Sequence, residues 1–157
     1  IKTGVLKRAN DLGANVTGLY SQSQDVAEYV KNADLVVGAV LVPGKSPPIV
    51  LPEPLLCQMK QGAVVIDIAI DQGGCVEGIE ATTHHNPCYQ RNGIQMLAVT
   101  NLPGAVPKTA TQSLSGAILP YVRSIVNCHK ARGGFDVAAV QKIEGLSGAV
   151  CIKSGHI

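Results

Sequence analysis

The sequence predicts an α/β fold, a doubly wound parallel sheet, and two features of the chain carry that reading. First, Leu35–Val42 and Ala63–Ile66 are apolar runs in which polar residues never alternate with apolar ones. A strand covered by helices on both faces reads this way, because neither side of it meets water. Second, these runs alternate with segments of helical spacing and with Gly/Pro-rich loops, the rhythm of strand–helix–strand units. The 157 residues, 46% hydrophobic and 15% charged, suit one modest domain with a buried core rather than a disordered chain.

The elements follow in order. Residues 2–12 read as a weakly amphipathic helix closed by Gly13. Asn15 to Tyr20 alternate loosely as a short strand, and Ser21 to Ser23 form a polar turn. Residues 25–32 are helical, with Val26, Tyr29 and Val30 on one face. Leu35–Val42 is a buried parallel strand stopped by Pro43-Gly44. Pro52 and Glu53 start a helix running to Met59, since proline fits a first helical turn. The central strand opens at Ala63. Residues 75–93 are long, polar and without clear period, a loop of the length usually given to function or an interface. Ile94–Val99 is a further strand. A helix spans about 108–130 with Leu114, Ile118, Tyr121, Val122 and Ile125 along one face, and Pro120 predicts a kink or break within it. Residues 136–144 form a last short helix, and 149–157 a tail or edge strand.

The chemistry concentrates where the central strand ends, at Asp71-Gln72-Gly73-Gly74. In open α/β sheets ligands lie outside the carboxyl ends of the strands, so Asp71 is set where a ligand would meet a carboxylate. The same letters also describe an ordinary Asp/Gly turn. Pro43-Gly44 and Leu102-Pro-Gly104 put two more Gly/Pro loops at strand ends, and all three should open onto one crevice. Asp67, inside the apolar run, reads as a structural hydrogen-bond acceptor. Cys75, His84, His85 and Cys88 match no standard zinc spacing, and no metal is expected. Lys108 and Arg123 read as helix surface charges.

Other classes are excluded by composition. A net charge of +2 without a basic run, aromatics at 3% and no Trp argue against nucleic acid. No apolar stretch approaches a membrane span. Five scattered cysteines, with no apolar leader ahead of them, suggest free thiols in a reducing cytoplasm. The chain begins Ile-Lys-Thr-Gly rather than with Met, and the glycine fingerprint of a dinucleotide fold is missing, so the expectation is the second half of a nucleotide-binding sheet.

Four stretches carry a family resemblance: Asp34–Gly44, Val65–Cys75, Thr82-Thr-His84 and Val99–Pro107, followed by Leu119-Pro-Tyr-Val122. In order and spacing, from about Asn15 to Val122, they resemble the NAD-binding and C-terminal part of L-alanine dehydrogenase, in the alanine dehydrogenase/pyridine nucleotide transhydrogenase family. The transhydrogenase α subunit shares the Pro-Gly loop and the helix after it, but it resembles an Ala-Glu-Ala-Gly-Gly pattern where this chain has Ala69-Ile-Asp-Gln-Gly73. Beyond residue 130 the likeness is thin.

The resemblance implies a Rossmann-like NAD-binding domain over 1–104. Residues 105–157 would be a C-terminal helix and tail returning to a substrate domain. It implies oxidative deamination of L-alanine to pyruvate and ammonium with hydride transfer to NAD, in a cytoplasmic homohexamer. Asp71 resembles the catalytic aspartate beside the nicotinamide and the substrate amine. Ile68 falls on a cofactor contact, Val40 and Leu41 flank adenosine and ribose, Ser21 matches a serine near the adenine, and Val99, Asn101 and Leu102 bound the nicotinamide side. Leu102 replaces the family's usual Met, a swap close to volume-conserving. Lys45 stands one residue away from the family's lysine.

Without that match, Val40, Leu41 and Ile68 would read as core and Ser21 as a turn residue. The family's substrate-binding Arg and Lys, its catalytic His and its pyrophosphate loop belong to an N-terminal half outside this sequence, so the isolated chain is expected not to turn over alanine. Two alternatives stay open: a non-catalytic α/β binding or assembly module, and a transhydrogenase-like NAD domain.

Overall fold

The computed structural model describes residues 3–19, 23–134 and 136–150. The chain divides into two compact units, Ile1–Leu102 and Pro103–Ile157.

The first unit opens with helices α1 (Thr3–Asn10) and α2 (Ser23–Asn32), then strand β1 (Leu35–Gly38), the short helix α3 (Glu53–Leu56) and strand β2 (Val64–Asp67). Strands β3 (Cys88–Arg91) and β4 (Ile94–Leu97) complete a four-stranded sheet in the order β1-β2-β4-β3. β1 pairs parallel with β2 and β2 with β4, while β3 runs antiparallel to β4. The sheet is therefore mixed, where the sequence predicted parallel strands throughout. The antiparallel pair arises from Asn92 and Gly93, both at positive φ (52° and 78°), the backbone that a two-residue hairpin turn demands. The stretch 75–93, read as a loop, thus contains β3.

One face of the sheet holds the core. Val65, Ile94 and Met96 pack there with Leu51, Leu55, Leu56, Met59 and Val76, and Val30 of α2 joins them. The other face is not covered to the same degree. Leu35 and Val37 remain 55% and 48% exposed, and Val64, Ile66 and Leu97 are only half-buried. This corrects the expectation that Leu35–Val42 is buried on both sides. β1 is an edge strand, and its unalternating letters reflect two apolar faces of which only one is packed.

Asn15 to Leu19 form no strand either, and Tyr20 lies outside the described residues. The donors of this stretch are taken locally. Val16 N–H donates to the Gly13 carbonyl, and Gly18 N–H donates to the Asn10 side chain at 2.6 Å, which leaves the segment off the sheet.

α3 is shorter than the predicted 52–59 helix. A polar clasp ties it to the hairpin: Arg91 pairs with the Glu53 carboxylate and donates to the carbonyls of Glu77 and Gly78, while Glu53 N–H donates to Glu77.

The second unit contains α4 (Pro107–Arg132) and α5 (Val137–Val140). α4 starts on Pro107 and closes on Gly133 at φ 69°, in the left-handed region. It is helical through Pro120, so of the expected kink or break the break does not occur. The helix is exposed there, and water can satisfy the carbonyl that a proline leaves without its N–H partner. Of its predicted apolar face, Ile118, Tyr121, Val122 and Ile125 line a groove with Gly145 and Leu146. Asp136 caps α5 by accepting from Ala138 and Ala139 N–H. The predicted tail beyond residue 150 lies outside the described residues.

Candidate functional site

The site grows from the end of β2. Asp67, its last residue, is fully buried, and its carboxylate accepts from three backbone N–H groups: Ala69 at 2.8 Å, Cys75 at 2.7 Å and Val76 at 3.1 Å. The Cys75 thiol donates to the same carboxylate at 3.5 Å. One side chain therefore fastens both ends of the turn that follows, the structural role its place in the sequence suggested. Ala69 N–H is an N-terminal donor of a 3₁₀ turn over Ile68–Gln72, which Asp67 caps and Gly73 ends at φ 108°. A left-handed residue must stand there, and glycine takes that conformation without strain.

The tethered turn lifts Asp71 into solvent. Its two carboxylate oxygens accept from Asn101 N–H at 3.0 and 3.3 Å, which joins the end of β2 to the loop after β4. Asp71 also lines a cleft of about 270 Å³ with Ala39, Val40, Leu41, Ile68, Ala69 and Gln72. A second cleft of about 400 Å³, lined by Gly44, Lys45, Ser46 and Gln72, shares Gln72 with the first. The three loops at the ends of β1, β2 and β4 thus meet around Asp71, the carboxyl-end crevice of an open sheet.

The close fit beneath the crevice is set by Gly38. A Cβ there would stand 2.5 Å from the Cys75 sulfur. Burial, and then the neighbouring Asp67 carboxylate, push the Cys75 thiol pKa above its ordinary value, so this cysteine stays a protonated donor.

The sequence-nominated residues fall into three groups. Val40, Leu41, Ile68 and Asp71 line the cleft together, and the apolar three present a surface suited to a flat ligand. Asn101 reaches the cleft through Asp71, with Leu102 next to it in the chain. Val99 is only 3% exposed, pairs with Thr82 and does not line the cleft. Ser21 lies outside the described residues. The sequence reading missed Ala39, Ala69 and Gln72, although each adjoins a nominated residue. Among the described residues no three His, Cys, Asp or Glu side chains gather as metal ligands, and Cys75 is committed to Asp67. No helix among them is long and apolar enough to cross a membrane.

A mostly parallel sheet with helices, and a crevice at the carboxyl ends of its strands, defines a Rossmann-like α/β domain. The model of the alanine dehydrogenase/PNT C-terminal domain family matches residues 1–157, and the chain belongs to that family. It is 46% identical to alanine dehydrogenase 2 of Staphylococcus aureus (strain USA300) over 124 residues, covering 78% of this chain and 33% of that protein. A solved structure of an L-alanine dehydrogenase superposes with a TM-score of 0.72 at 46% identity, over 81% of this chain and 36% of the other. A transhydrogenase structure from Sinorhizobium meliloti gives a TM-score of 0.69 at 24% identity, a likeness of fold, over 83% and 37%. The chain spans about a third of the length of the relatives it matches.

Proposed function

We propose that this chain supplies the nicotinamide-facing half of an NAD-dependent L-alanine dehydrogenase site. The observation that carries the reading is the position of Asp71, an exposed carboxylate on an apolar cleft with Val40, Leu41 and Ile68, tied at the same time to Asn101. NAD, when bound, accepts the hydride from the α-carbon of alanine. The cleft fits such a cofactor through its apolar lining: Val40 and Leu41 would flank the adenosine and ribose, Ile68 would contact the cofactor, and Asn101 and Leu102 would bound the nicotinamide side, with buried Val99 supporting them from behind through its pairing with Thr82.

Asp71 acts on the substrate. A carboxylate there steadies the positive charge on the amine and on the iminium that follows, and helps place the water that releases ammonium and pyruvate. Being exposed, Asp71 can also pass protons to solvent.

In the same reading residues 1–104 form part of the NAD-binding domain, and 105–157 lead back to a substrate domain. The groups that grip the alanine carboxylate belong to an N-terminal half, and the whole assembles as a cytoplasmic homohexamer. NADH titrated onto the chain and followed by cofactor fluorescence tests the half-site: binding is expected, without NADH production from alanine and NAD. Absence of binding overturns the cofactor reading. Steady NADH production by the chain alone overturns the assignment of the substrate groups elsewhere.

A further inference from the structure

Beside the crevice the chain returns through Thr82, Thr83 and His84. Thr82 bridges Val99 in parallel register, with Thr82 N–H donating to the Ala98 carbonyl at 2.8 Å and Thr100 N–H donating to the Thr82 carbonyl at 3.2 Å. The Thr82 hydroxyl locks the same register, accepting from Ala98 N–H at 3.2 Å and donating to the Pro87 carbonyl at 2.9 Å. With residue 82 level with 99, two further residues bring His84 level with Asn101. There the imidazole Nε2 lies 3.1 Å from the Asn101 carbonyl. A carbonyl only accepts, so Nε2 carries the hydrogen and donates.

Asn101 is thus held at both ends of one residue, its carbonyl by His84 and its N–H by Asp71. Its φ of 51° is left-handed, a region that asparagine enters more readily than most other side chains, and the two hydrogen bonds fix the turn there. We propose that His84 is a positioning residue: through the Asn101 backbone it fixes Asp71 and the turn at 101–102, and so sets affinity for the nicotinamide end of the cofactor. This rests on the half-site reading above. Nothing in the mechanism otherwise uses His84, and the fold does not need its ring, which is exposed.

Two variants test the proposal. His84→Phe keeps a ring and removes the donor, and His84→Gln keeps an N–H donor. In the ligand-free chain, hydrogen exchange at the Asn101 amide is expected to quicken about three- to tenfold in His84→Phe, the range for one lost hydrogen bond, and to return toward wild type in His84→Gln. The Ala69 amide, held by buried Asp67, serves as the internal control and should not change.

With ligand, His84→Phe is expected to weaken NADH about three- to tenfold while leaving ADP-ribose, which lacks the nicotinamide, unchanged. Unaltered Asn101 exchange overturns the proposal. Equal weakening of NADH and ADP-ribose also overturns it, in favour of a general structural role. A wild-type chain that fails to bind NADH refutes the half-site reading instead, and the exchange measurement still decides whether His84 positions Asn101.

Discussion

Asp67 and Asp71 stand four residues apart at the two ends of one turn, and their surroundings divide the labour between them. Asp67 is fully buried, accepting from three backbone N–H groups and a thiol. Asp71 is exposed and holds one backbone N–H across the crevice. A carboxylate whose lone pairs are spent on backbone donors is a structural post. One facing solvent beside an apolar cleft is free to meet a ligand. The same functional group is therefore a fastening at one end of the turn and a reactive group at the other.

That contrast can be broken most forcefully at the buried end. Asp67→Ala leaves three N–H groups without an acceptor, and a cost of about 3 kcal/mol or more is expected, read as a fall in the urea unfolding midpoint. Next comes the packing that closes over it. Gly38→Ala drives a Cβ to 2.5 Å from the Cys75 sulfur, and a loss of about 1–3 kcal/mol is expected. Adding Cys75→Ala should restore part of that loss, so a double-mutant cycle in urea should show coupling between the two sites.

At the exposed end the signs reverse. Asp71→Ala should cost only about 1 kcal/mol of stability, the worth of its one exposed hydrogen bond to Asn101 N–H. Its NADH affinity should nevertheless fall about tenfold, because the charge-assisted bond that fixes the 101–102 turn beside the nicotinamide is lost. A large stability loss in Asp71→Ala would erase the distinction between the two carboxylates.

The smallest effect concerns pH. The folded Cys75 thiol has a raised pKa, so its contribution to stability is complete below the thiol pKa of the unfolded chain. As pH climbs past that value the unfolded chain ionises first and stability declines, until the folded thiol also loses its proton. Urea midpoints across the alkaline range should show this slope in wild type and less of it in Cys75→Ala. A thiol reagent should label exposed Cys57 and Cys88 long before Cys75.

Much of this architecture was legible in the letters. The apolar run into β2, the polar break at Asp71-Gln72-Gly73-Gly74 and the Gly/Pro loops report local demands of strand burial and turn geometry, and they led to the crevice. Two features of the sheet escaped. The strand Cys88–Arg91 is polar because its outward residues are exposed, so its apolar signal is weak, and the one clear local mark was Asn92-Gly93. The open face of β1 escaped because Leu35 and Val37 look like core, while their exposure depends on what packs above them, which no local pattern encodes. Of the site, Asp71 was readable as a carboxylate at a strand end. Its bond to Asn101, and the His84 contact on the far side of that residue, arise from the Thr82–Val99 register, a pairing between distant segments.

The most direct measurement is a map of backbone amide shifts in the labelled chain as NAD is added. The expected result is a set of perturbations centred on Val40–Leu41, Ile68–Gln72 and Val99–Leu102. Perturbations confined to the separate pocket formed by Glu80, Thr82, Asn86 and Tyr89, or no perturbation at all, would contradict the placement of the cofactor against Asp71.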